Sequence, residues 1–214
     1  MLLLAVLTYQ ISYSQNKNEF YVSTGPSLSL GNYRTTFYAD NGSQVLLGYN
    51  RQLAKKWTLN FETFVMFNPA NSFRYKTSLI NDGFPYSNLT VTSSGQYNHS
   101  GLAIGASFFI WDNFYVTLKE GFVISGSPVI DFNGFDASTF SYKYYSRPSY
   151  TGAGSVTMIG VGYNKPLGKK DRWNLKLNLS YYTSSLKYSN SDLNKSYLMT
   201  TECLFANLGI GVKF

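Results

Sequence analysis

Residues 204–214 read LFANLGIGVKF, and their alternation decides the fold. Leu204, Ala206, Leu208, Ile210, Val212 and Phe214 share one parity, and Cys203, Phe205, Asn207, Gly209, Gly211 and Lys213 share the other. A period of two with one apolar face marks a half-buried strand. In a soluble sandwich that face meets a second sheet. In a transmembrane barrel it meets lipid, and the small polar face lines a crowded interior. One strand alone is compatible with both.

The pattern recurs upstream. Phe20, Val22, Thr24, Pro26, Leu28 and Leu30 alternate with Tyr21, Ser23, Gly25, Ser27 and Ser29. Trp57, Leu59, Phe61, Thr63, Val65 and Phe67 alternate with Thr58, Asn60, Glu62, Phe64 and Met66. Leu102, Ile104, Ala106, Phe108 and Ile110 form another apolar face, as do Trp173, Leu175, Leu177, Leu179 and Tyr181. Less regular strands fit near 43–50, 113–124 and 152–164, which brings the count to eight. An even count suits a closed antiparallel barrel with both ends on one side of a membrane. The links RQLAKK, WDN and KPLGKKDR are short, whereas those near 31–42, 68–99, 125–151 and 184–202 are long, and the two kinds alternate. Short periplasmic turns and long extracellular loops give an outer-membrane barrel that alternation.

The aromatic residues agree. Trp57, Trp111 and Trp173 each end a strand beside a short link. With Tyr49, Tyr163 and Phe214 they are expected to form a periplasmic aromatic girdle, where an indole keeps its N–H wet and its ring buried. The echo between LGYNRQLAKKW at 47–57 and VGYNKPLGKKDRW at 161–173 fixes the parity of two weaker strands. It turns Val45, Leu47 and Tyr49 outward together with Ile159, Val161 and Tyr163.

Composition sets further bounds. One all-β domain accounts for 214 residues. Charged residues make up 14% and aromatics 18%, with 19 Tyr and 16 Phe, against roughly a quarter charged in ordinary soluble domains. No apolar run reaches the length of about 18 residues that a transmembrane helix needs, so a membrane span here has to be a barrel. The start MLLLAVLTYQISYSQ reads as a secretory signal over 1–14, cleaved before Gln15, with 15–214 as the barrel domain. No Lys or Arg precedes its apolar stretch. Cys203 is the single cysteine, so no internal disulfide is expected. In NFYVTLKEGFVISG (113–126), Glu120 shares the apolar parity of Phe114, Val116, Leu118, Phe122 and Ile124. A carboxylate facing lipid is costly, so a bulge near Gly121 or a pairing with Lys119 is expected.

On these features the chain resembles the small outer-membrane β-barrel proteins of Gram-negative bacteria, the eight-stranded group that includes the OmpA membrane domain and OmpX. The resemblance implies an outer-membrane location with periplasmic N- and C-termini and outer-membrane lipids as surroundings. It also implies the barrel-assembly machinery as a partner during insertion, with Leu208, Ile210, Val212 and Phe214 matching the C-terminal signal. The SYSQ junction and the Tyr- and Asn-rich loops resemble barrels from Bacteroidota.

Function is narrowed by exclusion. An eight-stranded interior is filled by side chains, so an open solute pore is not expected. Glu62, Lys176, Lys213 and Lys119 point inward and need partners. A bridge from Glu62 to one of these lysines is the structural reading, and an ion pathway is the functional one. Some barrels of this size are lipid A deacylases, which place one residue between a His and a Ser near the outer rim. Here His99 and Ser100 are adjacent and so face opposite ways, and a rim histidine with no catalytic role is expected. GVG and GIG lie on strands with no helix following to hold a phosphate. No Cys/His cluster points to a metal, and no cofactor is expected. Arg51, Lys55, Lys56, Lys165, Lys169, Lys170 and Arg172 against Asp171 put +6 of the formal +7 into two short turns. These either hold anionic phospholipid heads or simply solvate the turns, and nucleic acid is not an expected partner. Phe132, Phe135, Phe140, Tyr142, Tyr144, Tyr145 and Tyr150 crowd 125–151. Such rings suit a recognition surface for a protein or glycan, and equally loops that pack on one another. The expected protein is a non-enzymatic barrel acting through its outer loops, in adhesion, surface interaction or a larger membrane assembly. A lipid-modifying enzyme and a narrow channel are the alternatives.

Overall fold

The computed structural model describes residues 18–30, 39–81, 87–168, 172–190 and 195–214. The signal-like segment 1–14 and the turn residues Lys169, Lys170 and Asp171 lie outside them. In chain order the elements are β1 (Asn18–Ser29), β2 (Gly42–Ala54), β3 (Trp57–Pro69), α1 (Ser72–Asn81), β4 (Ser87–Ser94), β5 (Gln96–Phe109), β6 (Phe114–Gly126), β7 (Val129–Asp136), β8 (Ser141–Arg147), β9 (Thr151–Leu167), β10 (Trp173–Asn190) and β11 (Lys195–Lys213).

Eight of the strands close into one antiparallel barrel in the order β1-β11-β10-β9-β6-β5-β3-β2. The ring shuts where β1 meets β11, with Phe20 opposite Val212 and Val22 opposite Ile210. Asn18 and Phe214 finish the seam by exchanging backbone hydrogen bonds of 3.2 and 3.0 Å. Closure leaves no strand edge, the condition for crossing lipid with strands. Outward residues such as Leu47, Ile104, Leu118, Val161, Leu179 and Leu208 are exposed on the isolated chain. On β10 and β11 the apolar outward face runs from Trp173 to Tyr181 and from Val212 to Leu204, close to the nine to eleven residues or so that a tilted strand needs to span the hydrocarbon. The fold is an eight-stranded up-and-down transmembrane barrel.

Eight strands leave a narrow interior, which the sequence fills by setting rings against glycines. Tyr21 lies opposite Gly48 and Tyr115 opposite Gly162. A Cβ on either glycine would run into the facing ring. Phe64 opposite Gly101 and Tyr188 opposite Gly152 repeat the device higher in the lumen.

Three expectations are corrected. Residues 184–190 and 195–202 are strand rather than connection, because β10 and β11 stay paired up to Asn190 and Lys195. Their alternation continues, with Ser184, Leu186 and Tyr188 buried, but above the membrane the outward positions are Thr183, Ser185 and Lys187, which hides the strand from a hydropathy pattern. The segment 68–99 holds the end of β3, α1, β4 and the first residues of β5, and 125–151 holds β7 and β8. β4, β7 and β8 form a separate three-stranded sheet at the end of the barrel that carries the long connections. Neither the bulge near Gly121 nor a Glu120–Lys119 pair is formed. The register through β5, β6 and β9 is unbroken, Glu120 faces outward between Ile104 and Thr157, and Lys119 points inward. Across β9, β10 and β11 the row of Glu120 continues as Thr157, Thr183 and Glu202. The carboxylate therefore stands where the apolar belt of those strands gives way to polar side chains.

The ring-to-glycine packing is testable. Gly48→Val and Gly162→Val are expected to abolish or sharply reduce the compact, heat-shifted species on unheated gels. Gly126→Ala, where nothing lies within 4 Å of the added Cβ, is expected to leave it intact.

Candidate functional site

The lumen has three tiers, set by what each strand turns inward. Near the short turns, Glu19 on β1 is a buried hub. It accepts from Lys176 Nζ at 2.5 Å and from the amides of Asn50 and Asn174, each at 2.7 Å. Asn60 donates to Asn50 at 2.7 Å, and Ser107 to Asn60 at 2.8 Å, which extends the chain around the wall. Above this hub, Glu62 on β3 accepts from both Lys119 Nζ and the Tyr21 hydroxyl. Lys176 also sits 4.2 Å from the centre of the Tyr21 ring, so this tyrosine joins the two ion pairs. Each pair skips one strand: β3 to β6 across β5, and β1 to β10 across β11. A cavity of about 20 Å³ beside Tyr21 has room for one water.

The middle tier is apolar. Leu46, Phe64, Met66, Val123, Val156, Met158, Tyr182, Leu186, Cys203 and Phe205 form one buried cluster. Phe64 meets Tyr182 edge-on at 5.8 Å, and Phe205 lies 5.2 Å from the same ring. This band closes the bore between the ion pairs and the outer end. The third tier is polar again, with Gln44, Asn68, His99, Ser125 and Ser184 buried.

The sequence-read residues fall as follows. Glu62 and Lys176 are buried in the lumen but do not pair with each other. Lys213 is half-buried in register with Glu19, lining a hollow of about 510 Å³ at the mouth near the short turns. Glu19 was not among the expected charges, although it shares the inward parity of Tyr21 and Ser23. His99 is no rim residue: it is 2% exposed, opposite Met66, with its ring 6.3 Å from Tyr182. Ser100 faces outward, so the two form no catalytic pair.

At the short-turn rim the rings make a chain. Phe214 stacks on Phe20 at 5.3 Å, Phe20 lies 5.1 Å from Tyr49, and Tyr49 lies 6.2 Å from Phe61. Further round, Trp57 leans on Phe108 at 4.9 Å, and Phe114 bridges Trp111 and Tyr163 at 5.8 and 4.7 Å. Trp173 is exposed on the same rim, along with Arg51, Lys55, Lys56, Lys165 and Arg172. Leu208 and Ile210 face outward on β11, with Val212 next to the seam.

At the opposite end, α1 is preceded by Asn71, whose side chain accepts the Arg74 amide at 2.8 Å as an N-cap. Tyr75 ties the helix to the barrel through Tyr97, at 2.5 Å between hydroxyls. The expected aromatic surface of 125–151 splits in two. Tyr150 is buried and belongs to the lumen cluster, so it is removed from the surface. Phe132 and Tyr145 stack at 5.3 Å on one face of the β7–β8 hairpin, with Lys143 and Arg147. Phe135, Tyr142 and Tyr144 lie on the other face. Phe140 projects from the connecting turn at 83% exposure and meets Phe135 edge-on at 6.4 Å. Tyr144 hydrogen-bonds Asp131, which holds its phenol above the ordinary range.

No protein-family model matches the chain, and no curated protein matches it. Solved structures do. Ail, the attachment invasion locus protein of Yersinia pestis, is 13% identical, with 92% of this chain and 97% of that chain covered and a TM-score of 0.47. OprG from Pseudomonas aeruginosa is 14% identical over 93% and 97%, with a TM-score of 0.43. Neisserial surface protein A is 10% identical over 92% and 97%, with a TM-score of 0.38. The strand pairing above establishes the barrel independently of these likenesses.

The lumen pairs make a quantitative test possible. Lys119→Met strands Glu62 in the interior and is expected to cost about 3–5 kcal/mol of unfolding free energy. Combining it with Glu62→Leu is expected to recover more than half of that loss. Urea titration of the refolded barrel in lipid vesicles reads both.

Proposed function

We propose that the chain is a non-enzymatic integral outer-membrane barrel with periplasmic termini, acting as a rigid post that presents its extracellular sheet for adhesion, surface interaction or association with a larger membrane assembly. The observation that carries this reading is the exposed ring-bearing sheet standing over a bore filled by side chains. A filled lumen supports presentation over transport. The inward, buried His99, with Ser100 turned away, offers no nucleophile–base pair, which speaks against a lipid-modifying enzyme. The cationic rim of Arg51, Lys55, Lys56, Lys165 and Arg172 suits anionic phospholipid heads, at about 1 kcal/mol each near a charged surface. The outward Leu208, Ile210, Val212 and Phe214 serve as the strand that the barrel-assembly machinery engages.

Replacing residues 128–147 by a short Gly-Ser linker, with Tyr150 retained, tests the reading. The shortened barrel is expected to insert and shift on heating as before, while cells displaying it lose attachment to host surfaces or co-purifying membrane partners. In planar bilayers the intact protein is expected to give no steady single-channel current. Sustained conductance would favour the channel, and altered lipid A or phospholipid composition on expression would favour the enzyme.

A further inference from the structure

The outer face of the β4–β7–β8 sheet has a chemistry of its own. Register puts Thr92, Asp131 and Ser146 in one row, and Thr90, Asn133 and Tyr144 in the next. Phe135 and Tyr142 make a third row. Paired residues share a face, so these three rows form a single surface. Tyr142 and Tyr144 are each 67% exposed and stand about 6.8 Å apart along one strand. Asp131 is half-buried and accepts a hydrogen bond from Tyr144, which leaves the face with one negative charge. The cations of the hairpin, Lys143 and Arg147, are on the opposite face, where Arg147 lies over the Tyr150 ring at 5.7 Å.

The turn beside this face carries strain. Phe140 adopts φ 50°, a left-handed conformation that costs a bulky side chain and that Gly or Asn would take more easily. A turn selected only to connect β7 and β8 has no reason to hold a phenylalanine there in solvent. Its ring, Phe135 and Tyr142 make one exposed aromatic step at the end of the polar rows.

Resting on the surface-recognition reading above, we infer that this face binds a neutral oligosaccharide. Rings cover the apolar C–H faces of sugar residues, and the exposed Asn133 amide with the Thr90, Thr92 and Ser146 hydroxyls matches their hydroxyl groups. A sulfated or uronate-rich chain would need cations, and the face offers a carboxylate instead. A protein partner would be expected to find an apolar centre, whereas here the middle row sets the Tyr144 ring beside the polar Thr90 and Asn133.

The test uses the intact barrel in nanodiscs on an array carrying neutral oligomers of galactose, glucose and N-acetylglucosamine beside heparin-type sulfated chains. Retention on at least one neutral class, competed by the free sugar and unchanged by added salt, is expected. Tyr144→Ala and Tyr142→Ala should each weaken it about tenfold, a loss of one ring contact. Tyr144→Phe should recover most of the loss, and Lys143→Ala should change nothing. The heat shift reports that the barrel of each variant remains folded, and the recovery by Tyr144→Phe, with the unchanged binding of Lys143→Ala, reports that the separate sheet does too. Retention confined to sulfated chains, lost with salt or with Lys143→Ala, would overturn the inference. So would absence of any neutral binding. If sheet-dependent attachment to cells persists in that case, the presenting role survives and the ligand is a protein.

Discussion

Lipid supplies no hydrogen bonds, so every backbone N–H and C=O that crosses it must find its partner within the chain. For this sequence the solution is the seam between β1 and β11, where the two ends of the ordered barrel meet and Asn18 and Phe214 bond each other. Once the ring is closed at eight strands, the interior diameter is set. That narrowness explains why Tyr21 and Tyr115 face Gly48 and Gly162, and why inward lysines find carboxylates rather than water.

The lumen resolves a conflict between charge and burial by segregation. Charges gather in the tier near the short turns, where two carboxylates accept from two lysines, two asparagines and a tyrosine. Apolar side chains seal the middle. Unpaired, each buried charge would be expensive, and paired and hydrogen-bonded it is tolerable without adding much net stability. What the arrangement provides is a bore filled by side chains, beneath a separate three-stranded sheet.

The transmembrane part was legible because lipid imposes one rule at every outward position. Eight apolar alternations in 214 residues leave few other folds. That rule ends at the membrane surface, which is why the upper halves of β10 and β11, with Thr183, Ser185 and Lys187 outward, read as loop. β8 was hidden for a related reason: Tyr142, Tyr144 and Tyr145 put aromatic residues on both faces of a strand with no buried side. α1 is short and rests on one cap, Asn71, which carries little weight in a chain so rich in asparagine. The choice of Lys119 over Lys176 for Glu62 depends on which strands lie two apart around the ring, and local pattern does not contain that information.

Spin labels at single cysteines along Phe114–Gly126, in a Cys203→Ser background reconstituted into lipid vesicles, test the barrel most directly. Labels at Val116 and Leu118 should be reached by dissolved oxygen but not by a water-soluble relaxer, and labels at Tyr115 and Thr117 by neither, giving a period of two through the membrane. Access of the water-soluble relaxer to the outward positions would mean that these strands face water, and would contradict the transmembrane barrel.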